Sequence, residues 1–223
     1  MHPTTLLCIP TLLVILTGVI AMPLLVLALN RRAFRFYFES PEAAAELLGR
    51  SIHLREWVER LKELGFNVMG ISTEKLPLWG PAFSGLSLVS TPADTYAGIV
   101  LHPDGEPASL YFYTPIRDGG MVFTRNFAGE EVHKDRYSVR NVETINFAAI
   151  LDDHSARVQE FRDRGLRPAV GSTQAARIAA TVAYYDSEYG RAWLGTIWRR
   201  PVRNFAIALA FLLAVAIWIA VRY

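Results

Sequence analysis

Tyr96–Thr114 reads YAGIVLHPDGEPASLYFYT, two apolar and aromatic runs on either side of Pro103-Asp104-Gly105-Glu106. Proline presets one turn dihedral, aspartate closes a turn through its own side chain, and glycine takes conformations closed to other residues. The stretch is therefore a hairpin, with strands over 96–102 and 108–114. Asp118-Gly119-Gly120 turns the chain again into a strand over 121–126. Upstream, Phe66–Thr73 (FNVMGIST) forms another strand. Residues 74–95 read as a long connection with a short strand around Leu86–Val89, and a weaker strand lies within Val132–Val142. Consecutive strands joined by tight turns predict an antiparallel β-meander.

Helical patterns flank the meander. Ser40-Pro41-Glu42 combines an N-cap residue, a proline at the first helical position and an acid in the first turn. Leu54, Trp57, Val58, Leu61 and Leu64 continue an apolar stripe at steps of three and four, with a bend expected at Gly49, a second cap at Ser51 and a stop at Gly65. After the strands, Phe147, Ile150, Leu151, His154, Val158 and Phe161 line one face of a helix over 146–164. A last helix is expected from Ser172 to Tyr189, with Ile178, Ala179, Val182 and Tyr185 facing inward. The predicted body is α+β: one antiparallel β-meander packed by about three helices.

Two apolar runs lie outside this body. Leu6–Leu29 is 24 residues without a charge, and Phe205–Val221 is 17. A bilayer core of ~30 Å takes roughly 17 to 25 helical residues, so both runs read as transmembrane helices. A cleaved signal peptide fits the first run poorly, because MHPTT lacks a positive charge and the apolar stretch is too long. The expected organisation is a short tail at 1–5, a transmembrane helix at 6–29, an α+β domain with basic ends at 30–203, and a second transmembrane helix at 204–223. Arg31, Arg32 and Arg35 at one end, and Arg191, Arg199, Arg200 and Arg203 at the other, place the domain in the cytoplasm and both termini outside by the positive-inside rule. A bacterial inner membrane is the expected location. Arg31, Arg32, Arg35, Arg199, Arg200 and Arg203 then form a collar at the membrane surface, with the bilayer as a partner. Ala206, Ala210 and Ala214 repeat every four residues and offer a narrow face to a membrane-protein partner or a second copy.

Between the flanking arginines, residues 36–190 hold 15 basic and 21 acidic residues. That mild acidity, with a net charge of +2 for the whole chain, argues against a nucleic-acid binder. The lone Cys8 excludes an intramolecular disulfide framework and a cysteine-based zinc site. Phosphate-loop, dinucleotide-binding, nucleophile-elbow and HExxH signatures are all missing, so no cofactor is expected. Asp152-Asp153-His154 is the densest polar cluster. Adjacent helical residues point about 100° apart and cannot chelate together, and His154 falls on the apolar stripe, where a core histidine bonded to backbone is expected. His133 and Asp135 share a face of a possible edge strand, and His102 sits at the hairpin. With His53 and His154 they make a metal site only if folding gathers them. Tyr111 and Tyr113 share a face of a central strand, which would bind a partner if exposed. The expected function is a membrane-held α+β domain for protein interaction, assembly or sensing, such as an accessory subunit. The alternative is a membrane-tethered, metal-assisted hydrolase using those histidines.

Overall fold

A computed structural model describes residues 35–75 and 82–195, together with Arg203, Ile207, Phe211, Ala214, Val215, Ile217 and Trp218. The chain divides into two units, Phe34–Gly190 and, separately, Met1–Ala33 with Arg191–Tyr223. In the second unit, residues 191–195 and the seven isolated positions are helical.

The first unit is built on eight strands: β1 (Arg35–Phe38), β2 (Asn67–Lys75), β3 (Ala82–Ser90), β4 (Thr95–Leu101), β5 (Pro107–Ile116), β6 (Gly120–Arg125), β7 (Val132–Lys134) and β8 (Tyr137–Asn141). They form one sheet in the order β1-β2-β3-β4-β5-β6-β8-β7. The first six make an antiparallel meander, as the turns require. At the β4–β5 turn, Gly105 takes φ +89° and Asp104 Oδ1 accepts from the Glu106 amide at 3.1 Å.

The sheet departs from the expected purely antiparallel meander in three places. Phe36 and Phe38 belong to an edge strand, β1. The stretch 82–90 is a full nine-residue strand rather than a short one. The weak strand within 132–142 is two strands, and β8 lies parallel to β6 while β7 pairs antiparallel on its outer side. The sheet is therefore mixed. Parallel neighbours need a return path between them, and here β7 supplies it in place of a helix. Residues 126–131 carry the chain over β8 and are bound down by side chains. Arg125 Nε donates to Asn141 Oδ1 at 2.6 Å, Asn141 Nδ2 donates to the Gly129 carbonyl, and the Asn141 amide donates to Glu131 at 2.8 Å.

Four α-helices pack on the sheet of the first unit: α1 (Pro41–Arg50), α2 (Ile52–Glu63), α3 (Phe147–Asp163) and α4 (Gln174–Asp186); residues 188–190 are also helical. The break between α1 and α2 falls at Ser51, not Gly49. The Ser51 amide closes α1 on Leu47, and its hydroxyl caps α2 by accepting from the Leu54 amide at 3.0 Å. Asn146 caps α3 by accepting from the Ala148 and Ala149 amides.

Helices α1, α2 and α3 cover one face of the sheet. Leu54, Val58 and Leu61 of α2 and Ile150 of α3 pack on Leu86, Leu88, Ile99, Leu110 and Phe112, all essentially buried. The Trp57 and Phe147 rings meet edge to face at 5.0 Å and join α2 to α3.

Helix α4 lies against the opposite face, and the sheet curls around it. The Arg177 guanidinium carbon is 5.2 Å from the Phe36 ring and 4.6 Å from the Tyr113 ring, so the two rings lie within about 10 Å of each other. They belong to β1 and β5, whose backbones in a flat sheet would be about 19 Å apart, at about 4.8 Å per strand. Leaning side chains close only part of that gap. The rest is curvature, so the α4 face is concave.

Two expectations are corrected. Among the described residues, no helix is long and apolar enough to cross a membrane. Helix α3 has 17 residues and carries Asp152, Asp153, Arg157, Glu160, Arg162 and Asp163. The fold class with two flanking transmembrane helices, and the integral-membrane location with a cytoplasmic body and outside termini, therefore do not stand as descriptions of this structure. The run at 6–29 lies outside the described residues, as does most of the run at 204–223.

Gly98 gives the Tyr111 ring its seat across β4. The ring lies directly over the glycine, and a Cβ there would sit 2.1 Å from Tyr111 Cζ. Gly98→Ala is expected to destabilise the fold by about 1–3 kcal/mol through overpacking. Thermal unfolding checks this: an unchanged melting temperature would show that the ring can move aside freely.

Candidate functional site

The inner face of α4 reverses the sequence expectation. Val182 is 40% exposed and Ala179 is exposed, whereas Arg177, Thr181, Tyr184 and Tyr185 are buried. Of the four residues expected inward, Tyr185 is buried and Ile178 partly so. A helix that turns polar side chains inward needs polar partners there, because an unsatisfied buried group is costly.

The concave face supplies them. Arg177, only 5% exposed, lies 4.6 Å from the Tyr113 ring, 4.9 Å from Tyr96 and 5.2 Å from Phe36. Its Nη1 donates to Thr181 Oγ1 at 2.7 Å, and its Nη2 reaches the Tyr111 hydroxyl at 3.5 Å. Tyr96 Oη both donates to and accepts from the backbone of Gly171, at 2.9 Å each way. Tyr113 Oη donates to the Ala180 carbonyl at 3.2 Å. Tyr185 Oη donates to the Glu74 carboxylate, and Gln174 Nε2 donates to the Met69 carbonyl at 2.7 Å. The Tyr137 and Tyr184 hydroxyls meet at 3.2 Å. Helix α4 is thus held to the sheet by a layer of tyrosines around one arginine and one glutamate.

Burial dominates the electrostatics of this layer. It pushes Glu74 above the ordinary carboxylate value, against the Tyr185 hydrogen bond and the Arg177 charge, which pull it down. Burial also holds the Tyr113, Tyr184 and Tyr185 phenols far above their usual range, so all three stay protonated and remain donors.

The residues singled out from sequence are distributed differently. Tyr111 and Tyr113 do share a face, but α4 covers it; Tyr113 is buried and Tyr111 partly so, its ring stacked on Phe123 at 4.9 Å. His154 is fully buried, with Nε2 2.9 Å from Thr114 Oγ1 and Nδ1 3.0 Å from Thr124 Oγ1. Its partners are side-chain hydroxyls rather than backbone. Thr114 donates to the Asp94 carbonyl at 2.9 Å, so its oxygen is left to receive the Nε2 proton, which matches a neutral imidazole. Burial lowers the His154 pKa to about 3. Asp153 turns away from His154 and pairs with Arg140 at 2.9 Å. His53, His102, His133 and Asp135 are exposed on α2, the β4–β5 turn, β7 and the β7–β8 turn. Among the described residues, no three His, Cys, Asp or Glu side chains gather as a metal site. Arg35 is exposed on β1, while Arg203 and Ala214 are exposed helical positions of the second unit. Arg31, Arg32, Arg199, Arg200, Ala206 and Ala210 lie outside the described residues.

Two pH dependences of opposite sign follow. Glu74 has a raised folded pKa, so its contribution favours folding at low pH and is lost as pH rises above about 4.5. Glu74→Gln keeps an acceptor for Tyr185 without the charge, and should raise the melting temperature at pH 8 by about 2–4 °C while leaving it unchanged near pH 4. A fall at pH 8 would show that the charge stabilises the layer. His154 has a depressed folded pKa, so its neutral form supports the fold above 6.5 and that support is lost as pH falls toward 3. His154→Ala should cost about 1–3 kcal/mol at pH 7 by taking the acceptor from Thr124 and one donor from Thr114, which keeps its bond to the Asp94 carbonyl. Urea titration at pH 7 measures this, and an unchanged midpoint would mean that the Thr124 hydroxyl finds another partner.

No family model matches the chain, and neither the curated proteins nor the solved structures provide a match.

Proposed function

We propose that the first unit is a non-catalytic binding domain for protein interaction or sensing, in which α4 is the responsive element. One observation carries this reading: α4 meets the sheet through a polar and aromatic layer, whereas α1, α2 and α3 meet it through an apolar core. Apolar burial drives cooperative docking, at roughly 25 cal/mol per Å² of buried apolar surface. A helix held instead by individual hydrogen bonds, each worth about 1 kcal/mol net, can be displaced at less cost than the core can be opened. Binding domains that signal need such an element with two states.

The ionisable groups fit the same reading. Glu74 and Arg177 are engaged with tyrosines beneath α4, and His154 is held neutral between two threonines. None of the three stands beside a nucleophile in an open cleft. The outer side of α4, with Ala175, Ala179 and Val182 exposed, leaves the helix a second apolar surface when it moves.

Native-state hydrogen exchange tests this directly. The α4 amides are expected to exchange through a local opening, with protection at least about tenfold below that of β3, β4 and β5. Equal protection across α4 and those strands would mean that α4 opens only with the whole fold, and would sink the proposal.

A further inference from the structure

The surroundings of Arg177 have the composition of a receptor for a cation rather than of an ordinary ion pair. Three rings on three strands, Phe36 of β1, Tyr96 of β4 and Tyr113 of β5, converge on one guanidinium at 4.6 to 5.2 Å. Aromatic faces attract cations through their quadrupoles, and cages of such rings recognise organic cations. The Tyr111 hydroxyl lies at the rim as an acceptor. The sheet brings these groups together by its own curl; Tyr111 is seated over Gly98 and Tyr96 on the Gly171 backbone, while Tyr113 also bonds the Ala180 carbonyl of α4.

Arg177 fills this cage incompletely. Its Nε is buried and finds no acceptor among the described residues. Its Nη2 contact with Tyr111 is long, at 3.5 Å. A buried guanidinium with an unused donor is a weaker occupant than one whose donors are all met.

We propose that Phe36, Tyr96, Tyr113 and the Tyr111 hydroxyl form a binding site for a guanidinium group, an arginine side chain presented by a protein partner, and that Arg177 occupies this site in cis until α4 is displaced. The covalent link gives Arg177 a high effective concentration, so a free ligand competes poorly and only a partner that also engages α4 or its surroundings prevails. The cis contact is autoinhibitory: the site is hidden unless α4 moves. The proposal rests on α4 being separately displaceable, and goes further by naming the chemistry beneath it.

Chemical rescue tests it. Arg177→Ala removes the occupant and leaves the cage. Methylguanidinium added at millimolar concentration should raise the melting temperature of this variant saturably, by roughly 5 °C, with no rise in the wild-type protein. Tetramethylammonium and sodium chloride at matched ionic strength should produce less than half that effect. Because Arg177→Ala can lose too much packing to fold, Arg177→Gln, which keeps most of the side-chain stem, is measured in parallel. In the two variants N-acetylarginine amide should rescue as methylguanidinium does, and free arginine should too if the guanidinium alone is recognised. Rescue by the amide and not by free arginine assigns the site to peptide-borne arginine. Neither should change α4 hydrogen exchange in the wild-type protein, where Arg177 holds the site. Absence of saturable rescue in both variants, or equal rescue by tetramethylammonium, overturns the proposal. If that happens while α4 still exchanges as a separate unit, the guanidinium site falls and the binding function stands.

Discussion

Removal of the Arg177 guanidinium from water is the constraint around which the concave side of the domain is arranged. A cation this deeply buried is tolerated only if the site returns what hydration supplied. The return comes from three rings, the Thr181 hydroxyl and the rim of Tyr111, with the Glu74 carboxylate near enough to attract the charge. Bringing rings from β1, β4 and β5 to one point demands a curled sheet. Placing Tyr111 at the rim in turn demands that nothing larger than a hydrogen stand at Gly98, where its ring folds across the strand.

The two faces of the sheet divide the work of the domain. The face under α1, α2 and α3 is closed by aliphatic and aromatic packing, with His154 held neutral between two threonines as its main polar inclusion. Burial on that side supplies stability without directionality. The α4 face is the reverse: it is directional, built from tyrosine hydroxyls with fixed partners, and it specifies one seating of the helix. Tyr96 on Gly171, Tyr113 on Ala180, Tyr185 on Glu74 and Gln174 on Met69 fix α4 both along its axis and about it.

Much of the convex half was legible in the sequence. Pro103-Asp104-Gly105-Glu106 located the central hairpin, and the apolar spacings of α2 and α3 identified the faces that are in fact buried. The strand at Ala82–Ser90 was harder to see, because AFSGLSLVS is rich in small residues and follows prolines; its pairing with β2 and β4 makes it a strand. The parallel placement of β8 left no local signal at all. Helix α4 is where the sequence pattern points to the wrong face in part, for a physical reason. Apolar periodicity assumes an apolar interior, and the interior here is tyrosine, glutamate and arginine, so Ala179 and Val182 point outward while Tyr185 and, in part, Ile178 face inward. Arg177, Thr181 and Tyr185 recur at intervals of four, and that polar stripe, matched with Glu74 and the alternating Tyr111 and Tyr113, was the available clue to the site.

The position of β8 between β6 and β7 bears on how the chain reaches this structure. In chain order β7 follows β6, and the simplest event after β6 forms is for β7 to fold back on it as the next strand of the meander. That pairing would occupy the edge of β6 that β8 must take, and would be an off-pathway state to be undone before folding could finish. The loop at 126–131 opposes it. Arg125 at the end of β6 and Asn141 at the end of β8 hold each other directly, and Asn141 also binds Gly129 and Glu131 in the loop, so these three bonds form only when β8 is in place, whereas Arg125 on the Glu130 carbonyl does not need it. The three Asn141 bonds reward the final arrangement and give nothing to its competitor. Arg125 and Asn141 thus act as a selector between two strand orders, and their weight falls on the rate and fidelity of folding as much as on the stability of the finished domain.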